Sequence, residues 1–228
     1  MNGNVISQGT GFIVDETGII VTNFHVVVGA EIVEVITIDD EKYTVDGFFS
    51  YDSLKDYAIM KIPGFDMPKL KLGNSKNISI GDDVVAIGNP LGLDNTMTKG
   101  IVSQIRKNQG FELIQIDADI APGSSGGPLF VKDGSVVGIT RSGITGENLN
   151  FAIPINYIRG ELSKTKIIYP GNYFATFSIN QSDELSINQP EMTQKDHYNK
   201  GYEAGVKLRI ATNKGISAVG RGVGSILG

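Results

Sequence analysis

The fold of this chain is decided by one stretch, Asp117-Ala118-Asp119-Ile120-Ala121-Pro122-Gly123-Ser124-Ser125-Gly126-Gly127-Pro128-Leu129-Phe130. Small residues surround Ser125 and an apolar run follows it, so the serine hydroxyl can project from a loop that enters a strand. The backbone N–H groups of Gly123 and Ser125 are then two candidate donors to a substrate carbonyl. Clusters of Gly, Ser and Pro also form ordinary turns, and the stretch alone leaves both interpretations open. A base and an orienting acid upstream would favour a nucleophile loop.

The composition excludes several kinds of site and partner. The chain has 228 residues, enough for a core without covalent cross-links, and it contains no cysteine and two histidines. Disulfides and thiolate metal sites are therefore excluded, and we predict neither a metal site nor a cofactor. The formal net charge of −5 does not indicate a nucleic-acid partner.

Hydropathy indicates no membrane or export segment. No run of about 18 apolar residues occurs, and the first residues lack the basic-then-apolar pattern of a signal peptide. As written, the sequence predicts a cytoplasmic protein without a membrane segment. A location outside the cytoplasm is expected instead if the chain was cut from a longer precursor.

Short runs rich in Val and Ile, separated by Gly, Asp, Asn and Pro, extend from Val5 to about Ile153. They predict a series of β-strands without long helices between them, and hence an all-β domain over 1–164. A break with several Pro and Gly residues at 63–82 predicts a crossover between two β lobes. A short helix is predicted at 154–164, where apolar residues recur at helical spacing after a proline.

The character of the sequence changes beyond residue 164, so residues 165–228 are predicted to be a C-terminal extension that is irregular or partly helical. Residues 173–179 alternate like a strand, and residues 193–209 are typical of a moderately polar helix. Residues 215–228 combine glycines with small apolar residues, which favours a flexible terminus over a helix-packing face. No function is predicted for this extension.

A candidate base and a candidate acid precede the serine stretch. His25 follows a strand-like run at the start of what can be one helical turn, but a histidine among valines is more often a core residue than a catalyst. The other histidine, His197, lies in a polar segment typical of a solvated surface. Asp56 opens an apolar strand, where a partly buried carboxylate can fix a histidine tautomer. Asp52 is the alternative acid, and we favour Asp56 because this role requires burial.

Six segments, taken in order, form a pattern. They are Gly9-Thr10-Gly11-Phe12-Ile13-Val14-Asp15, Thr22-Asn23-Phe24-His25-Val26-Val27, Asp56-Tyr57-Ala58-Ile59-Met60-Lys61-Ile62, Ile87-Gly88-Asn89-Pro90-Leu91-Gly92-Leu93, Gly123-Ser124-Ser125-Gly126-Gly127-Pro128-Leu129 and Asn150-Phe151-Ala152-Ile153-Pro154. The pattern resembles the trypsin-like serine proteases and, within them, most closely the HtrA/Deg family. The resemblance runs from about Gly9 to Tyr157, and six ordered motifs make chance convergence a poor explanation.

The resemblance implies two packed six-stranded antiparallel β-barrels, at about 1–70 and 80–164, with a catalytic triad in the cleft between them. It implies that His25 takes the proton of Ser125, that Asp56 holds His25, and that the N–H groups of Gly123 and Ser125 form the oxyanion hole. The implied activity is that of a serine endopeptidase on unfolded or exposed polypeptide segments. The alternative is a catalytically silent, protease-like module that binds peptides as a chaperone or sensor.

Two departures from the family pattern concern activation and assembly. Ser124 stands where HtrA proteins usually carry Asn, so we expect loops 90–98, 117–124 and 143–149 to govern activity, not propeptide cleavage. HtrA proteins commonly carry PDZ domains and use an N-terminal aromatic extension to form trimers. The residues after Tyr157 are short for a PDZ domain, and no such extension precedes the first strand. We therefore predict that residues 165–228 do not form a clear PDZ domain. The resemblance makes a trimer possible, but the sequence itself does not support one.

A third departure concerns the substrate pocket. Asp119 stands where the HtrA family usually has a small residue. We predict a pocket lined by Ile120 and Leu149 that prefers apolar side chains, and a preference for basic side chains at Asp119 is the alternative. Arg141 bears on this choice, because its side chain could reach the same pocket and neutralise Asp119.

Overall fold

Two β lobes and the segment that joins them make up most of the computed structural model, which describes residues 4–89, 96–108, 110–144, 149–162 and 205–212. Strands form where the sequence is richest in Val, Ile and Phe, because these side chains pack well on a pleated, half-buried surface. The two α-helices of the described ranges span four residues each, so strands carry almost all of the architecture.

The first lobe is one antiparallel sheet. Its elements are β1 (Asn4–Asp15), β2 (Ile19–Thr22), α1 (Phe24–Val27), β3 (Ile32–Ile36), β4 (Lys42–Thr44), β5 (Gly47–Asp52) and β6 (Tyr57–Lys61), with β13 (Gly205–Thr212) from much later in the chain. The seven strands lie in the order β4-β3-β13-β1-β2-β6-β5. The helix α1 leaves the end of β2 and contacts β1 and β6.

The second lobe is a closed antiparallel barrel. Its strands are β7 (Asp83–Gly88), β8 (Thr96–Asn108), β9 (Phe111–Ile116), β10 (Pro128–Val131), β11 (Val136–Ile144) and β12 (Leu149–Pro154), followed by the helical turn α2 (Asn156–Arg159). They close in the order β10-β11-β12-β9-β8-β7, and pairing of β10 with β7 completes the barrel. Closure gives each of the six described strands a paired neighbour on both sides.

The segment between the lobes follows β6 and contains a 3-10 helix at Ser75–Asn77. It touches both lobes, because the N–H of Leu70 donates to the carbonyl of Ile13 at 2.9 Å and Leu72 forms a bridge with Val136. The chain therefore passes from one lobe to the other at the break that Pro and Gly residues predicted.

The strand β13 is inserted between β1 and β3, where Leu208 lies opposite Gly9 of β1 and Val35 of β3. Its alternate side chains Val206 and Leu208 are buried. The helix predicted at 193–209 is wrong over residues 205–209, because these alternating apolar side chains enter the sheet core. The remainder of that helix, the predicted strand at 173–179 and residues 215–228 lie outside the described residues.

One buried apolar cluster draws on both lobes. Its largest fully buried side chains include Phe12 and Phe48 of the first lobe and Phe151 of the second. Burial of a side chain of this size contributes about 2–3 kcal/mol to the free energy of unfolding. The lobes also meet through the backbone, since the N–H of Thr10 donates to the carbonyl of Ser125 at 2.9 Å. The serine stretch therefore lies where the two lobes join.

The predicted all-β architecture is confirmed, and so is the six-stranded second barrel. The first lobe differs from the predicted six-stranded barrel because β13 adds a seventh strand to its sheet. The short helix predicted at 154–164 is a single turn at Asn156–Arg159, and Pro154 still belongs to β12. None of the helices in the described ranges is long and apolar enough to cross a membrane.

Candidate active site

The side chains of His25 and Asp56 are in contact beside the first sheet. His25 lies in α1, and Asp56 immediately precedes β6 with a φ of 59°, a backbone conformation that Asp tolerates better than most residues. The Nδ1 atom of His25 is 2.8 Å from Oδ2 of Asp56, and the backbone N–H of His25 donates to Oδ1 at 2.9 Å. The carbonyl of Asp56 accepts a bond of 3.0 Å from the buried amide of Asn23. The carboxylate is thus fixed relative to the imidazole by both of its oxygens.

The Asp56 side chain is almost completely buried. Burial, the largest single influence, raises its pKa, but the charges of His25 and Arg141 and the hydrogen bonds from His25 together hold the pKa below its ordinary value. The Nε atom of Arg141 is 3.3 Å from Oδ2. An ionised carboxylate only accepts hydrogen bonds, so Nδ1 of His25 carries its proton and the Nε2 lone pair is the basic one.

The alternative acid, Asp52, has a different role. Its carboxylate forms an ion pair with Lys55 and accepts backbone bonds from Leu54 at 3.0 Å and Lys55 at 2.9 Å. Burial is the largest single influence and raises the pKa of Asp52, but these contacts within the β5–β6 turn together hold the pKa below its ordinary value. Asp56 is therefore the carboxylate that the fold brings to His25.

Threonines from both lobes hold the serine loop. Oγ1 of Thr10 donates to the carbonyl of Gly123 at 2.8 Å, and Oγ1 of Thr140 donates to the carbonyl of Ser124 at 3.0 Å. Gly123 has a φ of 97° and Gly126 a φ of 91°, in the region that only glycine adopts without strain. The Gly-rich composition of the loop is thus explained by backbone conformation as well as by substrate access.

Sequence reasoning missed both threonines. Thr10 stands in the first of the six motifs but carries no chemistry of its own, and Thr140 lies in an apolar strand. Thr10 reaches the loop from the first lobe, across a sequence separation of 113 residues from Gly123, whereas Thr140 reaches it from β11 of the same lobe, 16 residues after Ser124.

The hydroxyl of Ser125 bonds within the second lobe. Its Oγ lies 3.1 Å from Oγ of Ser142 and accepts the backbone N–H of Ser142 at 3.2 Å. The Nε2 atom of His25 is buried and has no hydrogen-bond partner in the part of the chain that the structure describes. The structure therefore brings the base and the acid into contact, while the serine hydroxyl is bonded to a neighbour that the sequence did not indicate.

The two predicted oxyanion donors are available. Among the described residues, the N–H groups of Gly123 and Ser125 donate to no acceptor, while the next N–H groups of the loop do, Ser124 to Ala121 at 2.9 Å and Gly126 to Thr140 at 2.8 Å. Two unengaged donors on either side of one engaged residue fit the pattern expected for binding an oxyanion.

The four predicted pocket residues are not brought together in one contact. Ile120 is buried, whereas Asp119 is exposed on the loop. Arg141 forms its ion pair with Asp56, and no ion pair joins it to Asp119 in the described ranges. Within the described part of the chain, Arg141 is thus paired with the more deeply buried carboxylate of Asp56 and not with Asp119. The side chain of Leu149 lies outside the described residues.

Two joined β lobes with a carboxylate, an imidazole and a glycine-flanked serine at their junction define a trypsin-like fold. Residues 9–139 match the trypsin-like peptidase domain family, and the chain belongs to that family. The family match ends within β11, just before Arg141 and Ser142.

The chain is similar to several named proteins. It is 45% identical over 166 residues to the putative serine protease HhoA of Synechocystis sp., an alignment that covers 67% of this chain and 41% of HhoA. It is 40% identical over 167 residues to the anti-sigma-I factor RsgI9 of Acetivibrio thermocellus, covering 72% of this chain and 24% of RsgI9. A solved structure of the HtrA-type protease AlgW with a decapeptide matches with a TM-score of 0.62 and 34% identity over 65% of this chain and 48% of that one.

The predicted relationship to the HtrA/Deg proteases is confirmed by these matches. The chain spans 41% of HhoA and 24% of RsgI9, so it corresponds to one part of each of these curated relatives.

Proposed function

We propose that the chain is a serine endopeptidase that cleaves peptide bonds through an acyl-enzyme, with Ser125 as nucleophile, His25 as base and Asp56 as the orienting acid. The observation that carries this proposal is the state of the imidazole. Its Nδ1 is held at 2.8 Å by a buried carboxylate, and its Nε2 is buried and unpartnered among the described residues. A histidine prepared in this way can accept a proton at Nε2 from a hydroxyl brought beside it.

The first step requires a movement of one side chain. The Ser125 hydroxyl rotates from Ser142 towards Nε2 of His25, transfers its proton there, and its Oγ bonds to the scissile carbonyl carbon. The carbonyl electron pair moves onto oxygen, where the N–H groups of Gly123 and Ser125 stabilise the negative charge. Loss of one such donor reduces kcat by about 100- to 1,000-fold in proteases of this type.

The intermediate then collapses to the acyl-enzyme. The C–N bond breaks, and the leaving amine takes the proton from Nε2 of His25. Water attacks the ester by the same route, giving its proton to His25, and the C–Oγ bond breaks as Ser125 recovers a proton. Throughout, Asp56 stabilises the protonated imidazole without taking the proton itself.

We propose polypeptides as the substrate class, and unfolded or exposed segments in particular. The related protease AlgW has been solved with a decapeptide, which supports a peptide ligand for this fold. An extended segment is the form in which a substrate backbone can reach the oxyanion donors of a loop held between two lobes. A folded protein presents few such segments, so it should be cleaved slowly.

Labelling with a fluorophosphonate probe tests the nucleophile directly. Two serine hydroxyls lie 3.1 Å apart, and the matched variants Ser125→Ala and Ser142→Ala separate them. We expect mass spectrometry to find the label on Ser125, to be lost in Ser125→Ala and retained in Ser142→Ala. Cleavage of an unfolded protein such as casein should likewise be lost in Ser125→Ala and retained in Ser142→Ala.

The silent-module alternative predicts another result. If the intact protein takes up no label at any pH but binds unfolded peptides, and Ser125→Ala binds them equally well, the catalytic proposal is refuted and peptide capture is the function.

A further inference from the structure

The hydroxyl of Ser125 makes two hydrogen bonds with one residue, Ser142 of β11. Its Oγ accepts the backbone N–H of Ser142 at 3.2 Å and lies 3.1 Å from Oγ of the same residue. Among the described residues, Oγ of Ser142 has no other hydrogen-bond partner. We call these two hydrogen bonds the resting contact, because the nucleophile that makes them is not bonded to the base.

The backbone of β11 explains why an N–H group faces the nucleophile. Thr140 pairs with the loop just after Ser125, since its N–H donates to the carbonyl of Gly127 at 2.8 Å. Two residues further along β11, the N–H of Ser142 faces the same loop. The carbonyl of Ser125 is turned to the first lobe, where it accepts the N–H of Thr10 at 2.9 Å. The acceptor that Ser125 offers to the N–H of Ser142 is therefore its hydroxyl.

A β-bulge fixes the part of β11 that carries Ser142. The pairing of β11 with β12 shifts register between Arg141 and Ile144. Two residues of β11, Ser142 and Gly143, therefore lie opposite the single residue Asn150 of β12. The N–H of Gly143 donates to the side-chain oxygen of Asn150 at 3.0 Å. The bulge is thus held by a side chain of β12, and bulges of this kind are common beside functional sites.

The resting contact leaves the base without a partner. Nε2 of His25 is buried and has no hydrogen-bond partner in the part of the chain that the structure describes. A buried acceptor without a partner is unfavourable. If Ser125 turns to Nε2, it gains that hydrogen bond and loses the two to Ser142. A single hydrogen bond therefore changes the ratio of the two orientations of Ser125.

We propose that Ser142 is a positioning residue that holds the nucleophile in its resting orientation and so limits the fraction of the protein that can react. This proposal rests on the proposed function, in which Ser125 turns to His25 before it attacks. The side chain of Ser142 supplies one bond of the resting contact and the backbone supplies the other. A substitution of Ser142 therefore weakens the resting contact without abolishing it.

The consequence has a definite sign, because removing the Ser142 hydroxyl should make the protein react faster. One neutral hydrogen bond, about 1 kcal/mol, corresponds to a factor of about five in the ratio of the two orientations. Ser142→Ala should therefore raise the rate of fluorophosphonate labelling of Ser125 about fivefold. The kcat of peptide cleavage should rise by a similar factor while KM stays within about twofold, because the turn of the nucleophile leaves the substrate contacts unchanged.

Two variants serve as controls. Ser142→Thr keeps the hydroxyl and should label at the parental rate. Ser103→Ala removes a hydroxyl from another half-buried serine of the second lobe, in β8, and should also label at the parental rate. A labelling rate of Ser142→Ala equal to or below that of the parent would overturn the proposal. If Ser142→Ala does not fold, Ser142→Cys, whose thiol is only a weak hydrogen-bonding group, is measured with the same outcomes.

Crystal structures of the parent and of Ser142→Ala, without substrate, give a readout that does not depend on activity. We expect Oγ of Ser125 to lie on Ser142 in the parent, and a larger share of it to lie within hydrogen-bond distance of Nε2 of His25 in the variant. A parent structure with Ser125 bonded to His25 would overturn the proposal. If the crystals show the expected change but no protein takes up the label, the role of Ser142 is retained and the proposed catalysis is refuted.

Discussion

Replacing Thr10 by valine removes one hydroxyl and almost nothing else. The two side chains have nearly the same shape, and Thr10 is buried. Its Oγ1 donates to the carbonyl of Gly123 at 2.8 Å and accepts the backbone N–H of Asn89 at 2.9 Å. Its backbone bonds, including the one from its N–H to the carbonyl of Ser125, do not depend on the side chain. Thr10→Val therefore releases the serine loop from the first lobe at one point.

The expected loss of stability follows from the two groups left behind. The N–H of Asn89 is buried, and an unpaired buried donor costs about 2 kcal/mol. The carbonyl of Gly123 is half-buried and can turn to water, so its loss costs about 1 kcal/mol. Thr10→Val should thus lower the free energy of unfolding by about 3 kcal/mol. The conservative variant Thr10→Ser keeps the hydroxyl and should lose about 1 kcal/mol for the missing methyl group.

The catalytic effect comes through the Gly123–Ser124 peptide. The N–H of this peptide is that of Ser124, so the N–H of Gly123 is affected indirectly. With the carbonyl released, the torsions about the Gly123 Cα are less restrained, and the N–H on its other side is less firmly directed. We expect kcat to fall by about 10- to 100-fold with little change in KM, less than for complete loss of an oxyanion donor because Thr140 still holds the other end of the loop.

The assay combines urea unfolding with the rate of fluorophosphonate labelling and the kinetics of peptide cleavage. Thr10→Ser serves as the control for side-chain size and should label at nearly the parental rate. If Thr10→Val loses stability as calculated but labels and turns over as fast as Thr10→Ser, the hydroxyl has no part in orienting the loop and the reasoning fails.

Three further predictions concern the loop, the added strand and pH. A Cβ on Gly126 would lie 2.2 Å from the carbonyl oxygen of Thr10, whereas one on Gly110, also at positive φ, meets nothing within 4 Å; Gly126→Ala should cost about 3 kcal/mol and Gly110→Ala about 1 kcal/mol in thermal or urea unfolding. Leu208→Ala in β13 should cost about 3 kcal/mol because the side chain is fully buried, and a loss below about 1 kcal/mol would show that β13 is not part of the first sheet. The pKa of Asp56 is lowered in the folded protein, so its charge stabilises the fold above its unfolded pKa of about 3.9 and this contribution is lost as pH falls through the folded value. Asp56→Asn should accordingly flatten the fall of unfolding free energy between about pH 5 and pH 2, and a slope equal to that of the parent would contradict the assignment.

The local sequence was sufficient to predict where a residue lies when its place depends on neighbours a few residues away. His25 was expected in one helical turn after a strand, and α1 begins at Phe24, with only Asn23 between it and the end of β2 at Thr22. Asp56 was preferred to Asp52 because its role requires burial, and the structure buries Asp56 while Asp52 caps its own turn. In both cases the deciding information lies within a few residues of the position concerned.

The sequence was insufficient to predict contacts between residues that are far apart in the chain. The apolar residues of 205–212 are too few to distinguish a strand from a helix by periodicity alone, and only pairing with β1 and β3 settles it. From its predicted strand, Arg141 could reach the pocket of Asp119 and neutralise it. Arg141 instead forms an ion pair with Asp56 of the first lobe, a contact between lobes that no local sequence pattern indicates.

The serine loop thus depends on residues that the nucleophile stretch does not contain. Thr10 holds the loop from β1, and Lys207 and Leu208 of β13 pair with the very residues of β1, Thr10 and Gly9, that lie against it. In the described ranges β2 pairs with β1 only from Phe12 onwards, so β13 is the strand that pairs with β1 at Gly9 and Thr10, while the N–H of Thr10 donates to Ser125. The geometry of the oxyanion donors is consequently linked, through one hydroxyl, to a strand that lies about 80 residues beyond the nucleophile. Activity should therefore respond to changes in β13 that leave His25, Asp56 and Ser125 untouched.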